Sequence, residues 1–174
     1  MLSRDLLDLA DHLAKLGSTR PKQAALRRAI STAYYGVFHF LIAQATKELA
    51  GVRGTDANLR AFLARGVSHA GLKAVCKAVS TGNWPTLIEK RIGKGKLGAP
   101  PAPLRSVGAA FVNLQELRHV ADYDPLRRFN RADTIIEVGR AQGLVSDWGL
   151  VPDGDEKRFF LYVVGAASSQ RSDE

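Results

Sequence analysis

Apolar residues recur along this chain at steps of three and four, the spacing that puts side chains on one face of a helix. Leu6, Leu9, Leu13 and Leu16 form one such stripe, and Gly17 follows as its C-cap. Pro21 stands where a first helical turn accepts proline, because its missing N–H would be unpaired there anyway. A long second helix is predicted from there, over Lys22–Leu49, with Gly51 and Gly54 breaking it. Shorter helices are predicted over Asn58–Arg65 and Ala70–Val79. Residues 80–103 are rich in glycine, proline and lysine, show no sustained period, and read as a mobile basic loop. A helix over Leu104–Tyr123 stops before Pro125, and another runs to Trp148, capped by Asn130 with Asp133 in its first turn. Asp153 and Glu156 have capping-box spacing ahead of Phe159, Phe160, Val163 and Val164. That last segment reads as a helix or, being aromatic and β-branched, as a strand. The expected fold is an all-α, up-and-down helical bundle over residues 1–148, followed by a C-terminal extension over 149–174.

Two helices carry polar groups where chemistry is conceivable. On the second, at about 100° per residue, Leu26, Ile30, Ala33, Tyr34, Val37 and Leu41 share the core-facing arc. Arg28, Thr32, Tyr35, His39 and Thr46 fall on the opposite side, a cation, a phenol and an imidazole suited to phosphate and base, or to a partner protein. On the later helix, Val107, Phe111, Leu114, Leu117 and Ala121 define the apolar arc, and Arg118 projects into its middle. A guanidinium there requires an anion or a polar cleft. Asp122, one turn on, is placed to pair with it, and His119, Tyr123 and Asp124 adjoin.

Charge narrows the classes. Residues 1–130 hold 20 Lys and Arg against 9 Asp and Glu, whereas residues 131–174 hold 5 against 8. A basic body with a mildly acidic tail suits a polyanion, nucleic acid first, although an arginine-rich surface alone gives the same balance. Cys76 is the sole cysteine, which excludes an internal disulfide and a cysteine zinc cage. The four histidines lack HxH or HExxH spacing, so neither a metal nor another cofactor is expected. Gly93–Gly98, GKGKLG, lacks the spacing and the hydroxyl of a P-loop. Lys90, Arg91, Lys94 and Lys96 around it are candidates for nonspecific phosphate contact. No apolar run approaches the roughly 18 to 20 residues of a spanning helix. Asp5, Asp8 and Asp11 interrupt the first segment in a way no secretory leader tolerates. A cytoplasmic protein away from membranes is expected.

RRAISTAYYGVFHF (Arg27–Phe40) and, some eighty residues later, LRHVADYDP (Leu117–Pro125) resemble the HEPN domain family. The likeness is greatest to its stand-alone bacterial branch with an RxxADY-type signature. It covers roughly Leu2–Trp148 and implies an up-and-down helical bundle, commonly a homodimer with a cleft between protomers. Many HEPN proteins are metal-independent RNA endonucleases, found as toxins beside a small nucleotidyltransferase antitoxin or in phage defence. The resemblance implies RNA as the partner, Arg118 as the anion binder, and assistance from His119, Asp122 and Tyr123, with Arg28, Tyr35 and His39 nearby.

One departure is checked by counting. The family motif is an arginine, four to six residues, then a histidine, but Tyr123 stands four residues beyond Arg118. A tyrosine near pKa 10 is a poor base at neutral pH. His119 lies about 40° from Tyr123 on the wheel. The residues therefore leave two readings open: an RNA-binding HEPN protein with an incomplete endoribonuclease motif, or a non-catalytic helical module that binds a protein or a nucleotide.

Overall fold

A computed structural model describes residues 2–17, 20–50, 57–93 and 95–166. Its regular structure is α1 (Leu2–Lys15), α2 (Gln23–Ala50), α3 (Ala57–Gly66), α4 (His69–Ser80), α5 (Thr86–Ile92), α6 (Ala102–Tyr123), α7 (Arg131–Asp147), a 3-10 turn at Trp148–Leu150 and α8 (Asp155–Ala166). The described chain is all-α. It divides into two compact units, 1–40 with 110–147 and 41–109 with 148–174, so α2 and α6 each contribute to both.

The first unit is a four-helix bundle. Leu7 of α1 lies where a Cβ on Gly36 of α2 would be, 2.9 Å from its Cγ. Tyr34 of α2 meets Phe111 of α6 at 5.6 Å between ring centroids, and both are fully buried. Asn113 of α6 donates to Glu137 of α7 at 3.0 Å. Arg131 of α7 donates to the carbonyls of Leu16 and Gly17, at the end of α1. Each helix thus touches two neighbours, in the cyclic order α1, α2, α6, α7, and between α2 and α6 the partners' numbers run in opposite directions, from Tyr34 with Phe111 to Arg27 with Ala121. The up-and-down bundle expected of the sequence is present in this unit.

Its caps follow the sequence. Gly17 has φ +84°, the left-handed conformation a glycine C-cap takes at no steric cost. Asn130 caps α7 by accepting from the N–H of Asp133 at 2.8 Å. The core face of α1 does not. Ser3, Leu7, Ala10 and Ala14 are its buried residues. Leu9 and Leu16 stay 47% exposed, and Leu6 and Leu13 are half-buried. Close approach to the neighbouring helices admits small side chains, and the leucine stripe is displaced to the flank.

α2 departs as well. Thr32 and Thr46, expected on a polar face, are buried, and of that face Arg28 alone is exposed. Ala29, Phe38 and Phe40 are buried outside the core-facing arc, so α2 is enclosed on most sides instead of half-solvated.

In the second unit Ser68 caps α4 by accepting from the N–H of Gly71 at 3.0 Å. Gly108 brings α6 so close to α4 that a Cβ would lie 2.7 Å from the carbonyl oxygen of Cys76. The stretch read as a loop carries α5, started by Pro85 and ended by Gly93 at φ +99°. It also carries the buried Trp84, whose Nε1 donates to the carbonyl of Gly98 at 2.9 Å. Seven residues are fewer than two turns, too short for a period to show.

The C-terminal segment is helical, as one of its two readings held. α8 buries Phe160, Leu161, Val163 and Val164 and packs on α3 and α4. Asp153 does not close a capping box. Its carboxylate instead accepts from Lys157 Nζ at 2.8 Å, which lowers its pKa.

Cys76 is fully buried, and desolvation pushes its thiol far above the ordinary range. The native protein is therefore expected to resist a thiol reagent such as DTNB, and to react once unfolded. Rapid labelling under native conditions would contradict the packing of α4.

Candidate functional site

Both sequence stretches that resembled a family lie side by side in the first unit. The join is built from Arg27, a residue sequence reasoning passed over. Its Nη1 donates to the carbonyl of Ala121 and its Nη2 to that of Asp124, each at 2.8 Å, with a further bond to the carbonyl of Arg127. A helix ends with unpaired carbonyls and a partial negative charge, and a guanidinium satisfies both. Its plane also lies over Phe129 at 5.6 Å. Gln23 completes the clamp, exchanging two hydrogen bonds with the backbone of Phe129. Asp124 turns the chain by accepting from the N–H groups of Leu126 and Arg127.

One turn before this clamp, Arg118 reaches across to α2. Its Nη2 donates to Tyr35 Oη at 3.1 Å, and its Nε lies 2.7 Å from Asp122 Oδ2. Ser31 donates to the same carboxylate oxygen at 3.3 Å. Three rings surround the guanidinium, with Cζ 5.9 Å from the centroid of Tyr34, 5.7 Å from Tyr35 and 5.3 Å from Tyr123. Burial opposes the positive charge, but Tyr35, Asp122 and Tyr123 more than offset it and hold the pKa above its usual value. The side chains of Arg118 and Asp122 are each 22% exposed. Nη1 makes no hydrogen bond or ion pair among the described residues.

No family model, curated protein or solved structure matches this chain. The chemistry of the site therefore rests on its own geometry.

Of the expected residues, Arg118, Asp122, Tyr123 and Tyr35 come together. His119 joins at the edge, its ring 5.0 Å from that of Tyr123 and its side chain exposed. Two do not join. Arg28 is exposed and makes no contact with Arg118, and His39 is half-buried with its ring against Phe38 at 5.7 Å. Wheel positions on one long helix grouped them, but Arg118 reaches only the turn of α2 around Tyr35. Ser31 and Tyr34 are further members that the sequence had assigned to no site.

In the second unit Lys90 and Arg91 close α5, and both are exposed, as is Lys96. Lys94 lies outside the described residues. A cavity of about 330 Å³ there is lined by Lys47, Glu48, Trp148, Asp153, Lys157 and Arg158 among others. Two of its three cations are already partnered. Lys157 bonds Asp153 and the carbonyl of Val151, and Arg158 lies 3.6 Å from Glu48. Among the described residues no cluster of His, Cys, Asp or Glu is placed to hold a metal, and no helix is long and apolar enough to cross a membrane.

Proposed function

We propose that this chain is an RNA-binding protein of the HEPN kind, serving as a toxin or in defence, with Arg118 as its phosphate contact. The observation that carries the reading is the Nη1 of Arg118. Among the described residues it is a donor of a fixed guanidinium with no hydrogen-bond or ion-pair partner, beside the ring of Tyr123, which is itself exposed. Tyr35 and Asp122 hold the fork, so little side-chain entropy is lost when a phosphate arrives. Tyr123, 63% exposed, and His119 offer faces on which an unpaired base stacks. Lys90, Arg91 and Lys96, in the second unit, are separate candidates for nonspecific, salt-dependent phosphate contact.

A cleavage step at this site is attack of a ribose 2′-oxygen on the adjacent phosphorus, with the 5′-oxygen leaving. The proton passes from the 2′-hydroxyl to a base and a proton is returned to the leaving oxygen, and His119 is the imidazole beside Arg118 for that exchange. Arg118 would neutralise the phosphorane.

A second reading is supported by the Asp122 ion pair, which compensates the guanidinium within its own chain. On that reading Arg118 and Asp122 tie α6 to α2, and the exposed Tyr123 and His119 meet a partner protein.

Expression in a bacterial host decides between them. The RNA reading expects growth arrest that Arg118→Ala relieves, and degradation of mixed RNA by purified protein in excess chelator. Co-expression of a small nucleotidyltransferase antitoxin would relieve the arrest too. Absence of both RNA binding and arrest, with a co-purified protein covering His119 and Tyr123, would establish the second reading.

A further inference from the structure

Charge in the first unit is gathered at one end of the bundle. The bonds of Arg131 to Gly17, Arg27 to Ala121 and Gln23 to Phe129 bring together the end of α1, the start of α2, the end of α6 and the start of α7. The segments that meet there, residues 17–30 and 118–131, hold eight Lys and Arg against two Asp. The other residues of the unit hold three against seven.

Both aspartates are engaged, Asp122 with Arg118 and Asp124 with the N–H groups of Leu126 and Arg127. Arg27 and Arg131 point their donors at carbonyls where α6 and α1 end, which offsets the negative pole of each helix. Arg20, Lys22, Arg28, Arg127 and Arg128 remain. All five are exposed, and none makes a side-chain hydrogen bond or ion pair among the described residues. Like charges held together without counter-charge repel one another, and a bound polyanion removes that repulsion.

The patch continues from Arg118. Arg28 and Tyr35 lie on one line of α2, seven residues and about 20° apart. Arg28 therefore stands about 10 Å nearer the bundle end than the ring that accepts from Arg118. The carbonyl of Arg127 is held by Arg27, the residue before Arg28. Tyr123, exposed and against the guanidinium of Arg118, leads into the turn that carries Arg127 and Arg128.

We infer that this end of the bundle binds backbone phosphates of RNA through Arg28, Arg127 and Arg128, next to the phosphate taken by Arg118. The inference rests on the RNA reading above and adds the path of the strand. Four of the five free cations are arginines, whose planar fork grips two phosphate oxygens at once. Leu126 is the one exposed large aliphatic side chain among the described residues of the two segments, which gives a membrane or the core of a protein interface little to bury. Phosphate contacts carry no sequence information, so this end adds affinity for any single strand.

Fluorescence anisotropy with a single-stranded RNA of about 12 nucleotides, titrated across a range of salt, tests it on a variant combining Arg28→Gln, Arg127→Gln and Arg128→Gln. These side chains have no partner in the chain, so the variant should melt as the parent does. It is expected to bind at least about tenfold more weakly, with a slope of log K against log salt lower by about 2, three phosphate contacts at about 0.7 each. A control of equal net charge, Arg4→Gln with Arg65→Gln and Lys77→Gln, all exposed and outside the two segments, should keep the parent's slope. Equal weakening in the control would overturn the inference, since overall charge would then explain the effect. Parental affinity and slope in the bundle-end variant would overturn it too, and if Arg118→Met still weakens binding the RNA reading stands without it. Loss in the bundle-end variant with Arg118→Met unaffected would uphold this end as a phosphate site and overturn the reading of Arg118. A parent that binds vesicles of phosphatidylserine but no RNA would overturn both.

Discussion

Arg27→Ala is expected to lower the stability of the chain by about 2–4 kcal/mol, a midpoint some 5–15 °C lower. The guanidinium supplies charge-assisted bonds to the carbonyls of Ala121, Asp124 and Arg127, groups that a truncated side chain leaves to solvent or to nothing. The effect should not stop at stability. Leu117–Pro125 is aligned with α2 by that clamp, and Arg118 reaches Tyr35 only while the two helices keep their register. RNA affinity is therefore expected to fall in Arg27→Ala although Arg27 touches no ligand. Arg27→Lys, with one charge but no fork, should recover little of either. Thermal denaturation and a binding titration on the same preparations check both halves.

Gly108→Ala should destabilise by about 2–4 kcal/mol, and Gly139→Ala should do the reverse. Both are helical glycines, and alanine improves helix propensity at each by about 1 kcal/mol. At Gly108 the new Cβ would lie 2.7 Å from the carbonyl oxygen of Cys76 and 3.3 Å from the amide nitrogen of Ser80, both backbone atoms that cannot rotate away. At Gly139 nothing lies within 4 Å of it, so the propensity gain stands alone. Opposite signs in denaturant unfolding are expected. Two changes of the same sign would mean that the approach of α6 to α4 has slack.

The helices were legible because most are long enough for a period to show, and because their ends carry residues whose chemistry stops a helix. Gly17 and Asn130 act where the pattern placed them. α5 was not legible: a seven-residue helix has no period, and its anchor, Trp84, lies before it. The leucines of α1 misled because periodicity finds an apolar stripe but not which of two stripes the fold uses. At the site, the pairing of Arg118 with Asp122 followed from spacing along one helix. Its bond to Tyr35 did not, since that depends on the register between α2 and α6, and the same register excludes Arg28 and His39. Arg27 went unseen because arginine at a helix start looks like solvated surface. Nothing in a one-dimensional pattern shows three carbonyls waiting nearly a hundred residues away.

On the RNA reading the guanidinium of Arg118, held by Tyr35 and Asp122, still receives a phosphate. Fluorescence anisotropy with a short single-stranded RNA, titrated across a range of salt, tests it most directly on the parent and on Arg118→Met, which keeps the apolar stem. Arg118→Met is expected to bind at least about tenfold more weakly, and its slope of log K against log salt to fall by about 0.7, one phosphate contact. Equal affinity and equal slope in the two proteins would contradict it, leaving Arg118 as a strut between two helices.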